Sequence, residues 1–499
     1  PSDRRKVLSE ETSWSARPET SADGKQVLFA SYHGRQWRQL WLTTPDGAAP
    51  LPLTFGEFDR SSARWSPDGT RIAFISNEGG NTSLTVRDFI GGATTPIVAK
   101  TRRYKVPRGR LTLDIRDEQG RSVPARVAVL GSDGRAAAPA SSWMHTDDGF
   151  DRALQPAETH YFHCPSKCTV ETSAGDASVW VQRGFRYLPW RQTVKLSAGA
   201  EREVAVRLEP NVLPASFGKW RSADLHVHMN YGGHYRNTPA RLAFQAQAEG
   251  LHLVENLVVN KEERIPDIGY PVGFDAASGN DVLIMHSQEF HTSYWGHLGL
   301  LGLTDHVLTP DFSAYQHTAL SSPYPHNGVV AGLAHARVAL VGYVHPFDWV
   351  IDPPKEKSLT NQLPADVANG KVDYIEIVGF ADHKSTAAVW YRLLNLGFRI
   401  PAGAGTDAMA NYASLRGPVG MNRVFLDTGG ELTPSAVQAA LKAGGTFATN
   451  GPLLGLDVEG KHPGDTIART APGMLRYRIA LRSPVAVEHL ELVQNGRVV

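Results

Sequence analysis

The chain has 499 residues, 41% hydrophobic and 20% charged, which is enough apolar material for several cores and, by length, for about three or four domains. Its 51 Lys and Arg against 50 Asp and Glu leave a formal net charge of +1, which argues against a nucleic-acid or membrane-surface partner. No apolar run approaches the ~20 residues that span a bilayer. The sequence begins at Pro1 with no signal peptide and ends in the strand-like "LVQNGRVV", and so reads as a processed or partial chain.

Residues 1–104 contain a repeat. "SADGKQVLFAS" starts at Ser21 and "SPDGTRIAFIS" at Ser66, a spacing of 45. Each copy places an Asp-Gly turn ahead of an alternating strand, followed by a second strand in "QLWLTT" or "SLTVRD". A period of this length with several strands per unit is a propeller signature. The S-P-D-G-x-x-I-x-F pattern resembles the TolB-like propeller repeat. Two blades are fewer than the roughly four that close a propeller, so this piece reads as a partial propeller with a scaffold role.

Residues 105–211 read as all-β, from "RGRLTLDIRDEQG" to the alternating "EREVAVRLEP", and are similar to carboxypeptidase-regulatory-like sandwiches. The chain's two cysteines, Cys164 and Cys168, sit here in "HCPSKC". A structural zinc takes four ligands, and His163 with two thiols supplies three. The pair therefore reads as a local disulfide, ahead of two free thiols. The disulfide favours a secreted or periplasmic location over the cytoplasm.

Residues 212–450 differ in kind. Thirteen of the 19 histidines lie between His226 and His383. Apolar runs such as "ADLHVH", "DVLIMHSQEF", "VALVGYVH" and "DYIEIVGF" are interspersed with helix-like segments such as "PARLAFQAQAEG" and "TAAVWYRLLNLG". Continuous apolar strands in alternation with helices predict a parallel sheet covered on both faces, here a distorted TIM-like (β/α)7 or (β/α)8 barrel. Such barrels carry their chemistry at the C-terminal strand ends, where His226, His228, Glu289, His345 and Asp407 fall. "TPSAVQAALKAGG" predicts a helix capped by Thr433, with Pro434 first and Gly444 past its end. Residues 451–499 alternate again, as the start of a C-terminal β domain.

The histidine spacing has a chemical reading. Side chains two apart on a strand share a face, so His226 and His228 can grip one ion. Imidazole and carboxylate suit Zn, Mn or Fe. "DLHVH" with His234 following resembles the first motif of the polymerase-and-histidinol-phosphatase (PHP) family. "HSQEFHTSYWGH", "GYVHPF" and "GAGTDA" resemble its later motifs in order. "ALKAGGTFATNGP" is similar to the carbaryl-hydrolase branch, which also carries TolB-like repeats ahead of its catalytic part. The resemblance covers about residues 212–460.

It implies a metallohydrolase with two divalent ions, zinc foremost and Mn or Fe as substitutes. The first would take His226, His228, Glu289 and Asp407; the second Glu289, His297 and His345. Two departures oppose a third ion: Leu257-Val258-Val259 stand where Thr-Asp-His is usual, and Met409 stands where a His is usual. Asp224 reads as an orienting residue behind the ligands. His234, His291, Tyr294, Trp295 and His383 are candidates for substrate or weaker metal contacts. His252, His286, His306, His317 and His335 carry no assignment.

Aromatic residues crowd the expected loops: Tyr231, Tyr235, Phe290, Tyr294, Trp295, Phe347, Trp349 and Tyr412. Basic residues near the motifs are scattered, as Arg236, Lys384 and Arg416. This favours a small, aromatic ester, carbamate or amide over a phosphate ester, cleaved through a metal-bridging hydroxide with Asp407 and Glu289 as catalytic residues. The rivals are a PHP-type phosphoesterase on the same metals and a non-catalytic binding protein. The partner expected is a small-molecule substrate, with neither nucleic acid nor a membrane span, and with room for a homo-oligomer.

Overall fold

A computed structural model describes residues 17–33, 35–146, 150–151, 153–260, 265–314, 319–348, 361–411 and 416–499. His317, Trp349 and Tyr412 lie outside the described residues. The chain is multidomain and rich in β structure.

The repeat folds as two four-stranded antiparallel meanders, Glu19–Pro52 and Arg60–Pro96. The same turn chemistry opens each. Gln26 N–H donates to Ser21 Oγ at 3.0 Å, and Arg71 N–H to Ser66 Oγ at 2.9 Å. Gly24 and Gly69 both take positive φ, near 70°, which is why glycine recurs there. Leu28, Leu40, Ala63, Ile72 and Phe74 form one core shared by both sheets.

Residues 108–207 form a sandwich of five-stranded and three-stranded sheets around Leu111, Leu113, Phe162, Val179 and Val206. Cys164 and Cys168 are disulfide-bonded. The bond joins the strands His160–Cys164 and Lys167–Ser173, one from each sheet, where the chain crosses between them.

Seven strands then form a ring: β1 (Trp220–His228), β2 (Leu253–Val259), β3 (Leu283–Phe290), β4 (His297–Leu301), β5 (Leu340–Val344), β6 (Tyr374–Val378) and β7 (Ala402–Ala404). The pairings β1–β2, β2–β3, β5–β6 and β6–β7 are parallel, whereas β4 runs antiparallel to β3 and β5. The ring nearly closes where Ala408–Met409 pairs with Val227–His228. Two further strands extend the sheet: β8 (Arg423–Asp427) pairs antiparallel with the first half of β1, and β9 (Thr446–Thr449) pairs antiparallel with β8. Thr446 Oγ1 donates to Ala402 O at 2.8 Å and ties β9 to β7.

The expected (β/α)7 barrel, all parallel with a helix after each strand, is corrected to this nearly closed mixed sheet. Only residues 291–296 separate β3 from β4, and a parallel crossover needs about a dozen or more. Among the described residues no helix follows β2 or β3. Helices α1 (Pro239–Ala248), α2 (Asn327–His335), α3 (Leu363–Ala368), α4 (His383–Asn395) and α5 (Pro434–Ala443) follow β1, β4, β5, β6 and β8. Helix α5 has the capping read in the sequence: Thr433 accepts from Ala436 N–H, and Gly444 ends it in the left-handed conformation. Among the described residues no helix is long and apolar enough to cross a membrane. Beyond β9, Leu453–Val458 pairs with Tyr477–Arg482 as an antiparallel hairpin.

The ring interior is filled by Tyr374, which is fully buried. Its side chain occupies the space left by Gly299, Gly342 and Gly403 on three neighbouring strands, and a Cβ at Gly342 would overlap its ring. Gly342→Ala should therefore destabilise the fold by about 1–3 kcal/mol through overpacking, measured by urea unfolding. An unchanged midpoint and slope would show that Tyr374 has room to move.

Candidate metal centre

The parallel strands deliver their C-terminal ends to one rim. His226 and His228 end β1, Glu289 stands at the end of β3, His345 follows β5, and Asp407 follows β7. His297 begins β4 rather than ending it, yet the reversal of β4 brings that start to the same rim. His345 and Asp407 have positive φ, 31° and 55°. Each such conformation costs of order 1–3 kcal/mol in a non-glycine residue and persists only where the surroundings hold it.

At the centre, acceptor atoms face one another. His228 Nδ1 lies 2.9 Å from Leu257 O and so carries the proton of the neutral ring. Its Nε2 then presents a lone pair, 3.1 Å from Asp407 Oδ1, 3.2 Å from Glu289 Oε2 and 3.2 Å from His226 Nε2. His226 Nδ1 points to Glu376 Oε2 at 3.5 Å, and its Nε2 lies 3.5 Å from both Glu289 and Asp407. His345 Nε2 is 3.6 Å from each of the same two carboxylates, and His297 Nδ1 is 2.9 Å from Glu289 Oε1. Two overlapping sets, His226–His228–Asp407 and His226–Glu289–His345, bring their ligand atoms within 4.8 Å of one another.

The electrostatics require positive charge at this point. Burial opposes the imidazolium of His226, but Asp407, Glu376 and Glu289 outweigh it and hold its pKa well above the ordinary value. Burial likewise opposes charge on His228 and His345, and Asp407 and Glu289 raise both. Burial favours the acid forms of Glu289 and Asp407, yet the surrounding imidazoles, with Arg416 for Asp407, hold both below the carboxylate range. His297 differs: burial and the neighbouring His291 push it down to about 4. Imidazole nitrogens and carboxylates converging where positive charge is required between them are the donor set of a divalent cation.

Asp224 is fully buried, and the bonds it accepts come from the backbone and from Thr406. It accepts from His226 N at 3.1 Å, Thr406 N at 2.9 Å, Thr406 Oγ1 at 2.5 Å and Gly420 N at 2.7 Å, so it fixes the backbone beneath the cluster. A cavity of about 510 Å³ opens above the cluster, bounded by Tyr231, His291, Tyr294, Asn361, Phe380 and Arg416. His291 packs against His297 with ring centroids 4.0 Å apart.

Other expected contacts fall elsewhere. His234 is exposed, and the charges acting on it are Arg38, Arg17 and Asp59 of the N-terminal region. His383 is exposed at the start of α4. Trp295 gives its indole N–H to Pro323 O at 2.5 Å. Phe290 and Phe347 are core residues, and Tyr235 stacks on Trp143 of the sandwich. Of the unassigned histidines, His286 bonds Asp275, His335 bonds Asp373 and His252 contacts Ser222.

Two residues escaped the sequence reading. Glu376 is 2% exposed, accepts from His345 N–H at 2.8 Å and faces His226 Nδ1. Its signal was a lone carboxylate inside the apolar run "DYIEIVGF", which is costly to bury unpaired. Arg416 was read as a scattered cation, but its Nη1 lies 2.6 Å from Asp407 Oδ1 and its guanidinium 4.3 Å over the Phe380 ring.

No family model matches the chain, and no curated protein matches it. Among solved structures it is similar to a TolB-type protein from Agrobacterium tumefaciens, 23% identical over 16% of this chain and 31% of that one, with a TM-score of 0.15. TolB from Acinetobacter baumannii is 17% identical over 40% of this chain and 49% of that one, with a TM-score of 0.18. The chain thus spans half or less of either structure. Neither likeness assigns the fold.

Below the cluster, Glu255 is buried on β2 and accepts from Ser287 Oγ at 2.7 Å. Burial, opposed by that hydroxyl, raises its pKa from 4.5 to about 7. A folded-state pKa above the unfolded one gives stability that is present below about pH 4.5 and lost as pH rises through about 7. Glu255→Gln cannot ionise and keeps an acceptor for Ser287. In the metal-free protein it should gain roughly 3 kcal/mol over wild type at pH 8 and differ little at pH 4.5, by urea unfolding. Parallel pH dependence of the two proteins would contradict this.

Proposed function

We propose that the chain is a hydrolase dependent on two divalent metal ions, zinc foremost, that cleaves an ester, carbamate or amide bond of a small aromatic substrate. One observation carries the reading: the His226 and His228 Nε2 atoms each lie 3.1–3.5 Å from an oxygen of both the Glu289 and the Asp407 carboxylate. His226, His228 and Asp407 would hold one ion, His297 and His345 the other, with Glu289 shared. When bound, such ions acidify water and polarise a carbonyl.

The chain's own groups supply the rest. Glu376 orients His226, and the Leu257 carbonyl orients His228, each from the ring nitrogen turned away from the cluster. His226 and His228, with Arg416, keep Asp407 ionised against its burial, so its carboxylate can accept a proton from the nucleophilic water and return it to the leaving group. Tyr231, Tyr294 and Phe380 offer ring faces for an aromatic substrate beside the reacting centre. The Cys164–Cys168 disulfide supports a secreted or periplasmic setting.

A phosphoesterase is the second reading, favoured by the single observation that Arg416 borders the cavity rather than lying apart from it. A panel of aryl esters, carbamates, amides and phosphates separates the two. Turnover confined to the phosphate decides for the second. Turnover of none, in protein without bound metal, decides for a non-catalytic protein.

Protein purified without chelator should carry close to two Zn, Mn or Fe per chain by elemental analysis. A reproducible three, or none, would contradict the binuclear reading. Asp407→Asn keeps an oxygen ligand but cannot accept a proton, so kcat should fall by about 10²–10⁴ with at least one metal retained. Wild-type kcat and an unchanged pH profile in that variant would remove Asp407 from proton transfer.

A further inference from the structure

A buried chain of contacts runs from the β-sandwich to the backbone of the candidate metal ligands. It passes through Arg423 on β8, the largest of the fully buried side chains at 1% exposure. From the sandwich, the Phe185 ring lies 4.4 Å from its guanidinium carbon. Gly184 is equally close: a Cβ there would stand 2.8 Å from Arg423 Nη1 and overlap the Glu249 carbonyl. Only glycine leaves space for the guanidinium at this contact.

On the barrel side each step is a hydrogen bond. Arg423 Nη1 donates to Glu249 O at 3.0 Å, just past helix α1. Its Nε donates to Gly420 O at 2.6 Å. Gly420 N–H donates to Asp224 Oδ2 at 2.7 Å. The other Asp224 oxygen accepts from His226 N and Thr406 N, at 3.1 and 2.9 Å. Asp407 N–H then donates to His226 O at 2.7 Å. The Glu249 carboxylate is held in turn by the sandwich: His163 Nε2 lies 2.8 Å from Oε1, and Arg126 Nε 3.5 Å from it. Arg126, His163, Glu249, Asp224 and Thr406 are all buried, so each has exchanged water for these partners.

We infer that Arg423 is a positioning residue for the metal centre, through which the β-sandwich sets the backbone of His226 and Asp407. The inference rests on the metal-site reading above. The sandwich is then a supporting wall of the site and not a separate appendage. Outer-shell partners of this kind act on how tightly the metal is held. A one-point loss at Arg423 frees Gly420, leaves Asp224 short of a donor, and lets the β1 end and the Asp407 loop drift apart.

The test uses the full chain loaded with Co²⁺ alone, read by visible absorption and by the rate of Co²⁺ loss to excess EDTA. Arg423→Lys keeps the charge but puts one nitrogen in place of the two, Nε and Nη1, that serve Gly420 O and Glu249 O. It should hold Co²⁺ about tenfold or more weakly, with an altered ligand-field spectrum and a folded circular-dichroism signature. Tyr235→Phe removes another barrel-to-sandwich bond, Tyr235 Oη to Met144 O at 2.8 Å, that lies off this path. It should match wild type in spectrum and in loss rate. If Arg423→Lys does not fold, Phe185→Leu decides from the sandwich side, and faster Co²⁺ loss is expected there too. Wild-type retention in folded Arg423→Lys, or in Phe185→Leu, overturns the inference and leaves the metal site standing. Equal weakening by Tyr235→Phe also overturns it, since any interface damage would then suffice. Wild-type protein that binds no Co²⁺ overturns the metal reading itself, and the inference with it.

Discussion

Two buried carboxylates, Glu289 and Asp407, meet two imidazoles nitrogen to oxygen, with His228's only proton already turned outward to Leu257 O. Everything else at the rim follows from the need for positive charge at that point. Without a cation the rings must take up protons, which is why His226, His228 and His345 all bind them more tightly than free histidine does. Arg416 neutralises part of one carboxylate from the side. A divalent ion satisfies the remainder without asking buried imidazoles to ionise against their own desolvation.

The barrel is arranged to bring these groups together. Parallel strands put their ends at one rim, and the single reversed strand contributes its beginning, so His297 arrives beside Glu289 by the opposite route from its neighbours. Closure at Ala408–Met409 against Val227–His228 sets Asp407 directly beside His226. The left-handed backbone at His345 and Asp407 is the conformational cost of aiming side chains inward from tight strand-to-loop exits. Beneath them, Tyr374 fills the interior, so the site has a packed floor rather than a channel.

Much of this was legible in the residues. Alternation and Asp-Gly turns predicted the two meanders, because a turn that needs positive φ selects glycine whatever the surrounding fold. Ordered motifs placed His226, His228, Glu289, His345 and Asp407 at strand ends, because apolar runs mark strands and a polar residue at their edge marks the exit. The direction of β4 was missed, although the six residues between Phe290 and His297 already forbade a parallel crossover. His234 and His383 stand near the ligand motifs in sequence as candidates for substrate or weaker metal contacts. Which way a loop turns depends on tertiary contacts, and both residues are exposed, His234 beside charges of the N-terminal region. Glu376 was passed over because a single acid in an apolar strand reads as an exception until its partner is seen. Arg416 was passed over because its neighbour, Asp407, meets it only through the fold.

The most direct measurement is anomalous diffraction at the zinc edge from crystals of the full chain grown with Zn²⁺. The account predicts two peaks at the barrel rim, one within bonding distance of His226, His228 and Asp407 and the other of His297 and His345, with Glu289 between them. Peaks elsewhere, or a rim where His226 and His228 contact the carboxylates directly with no scatterer between them, would contradict it.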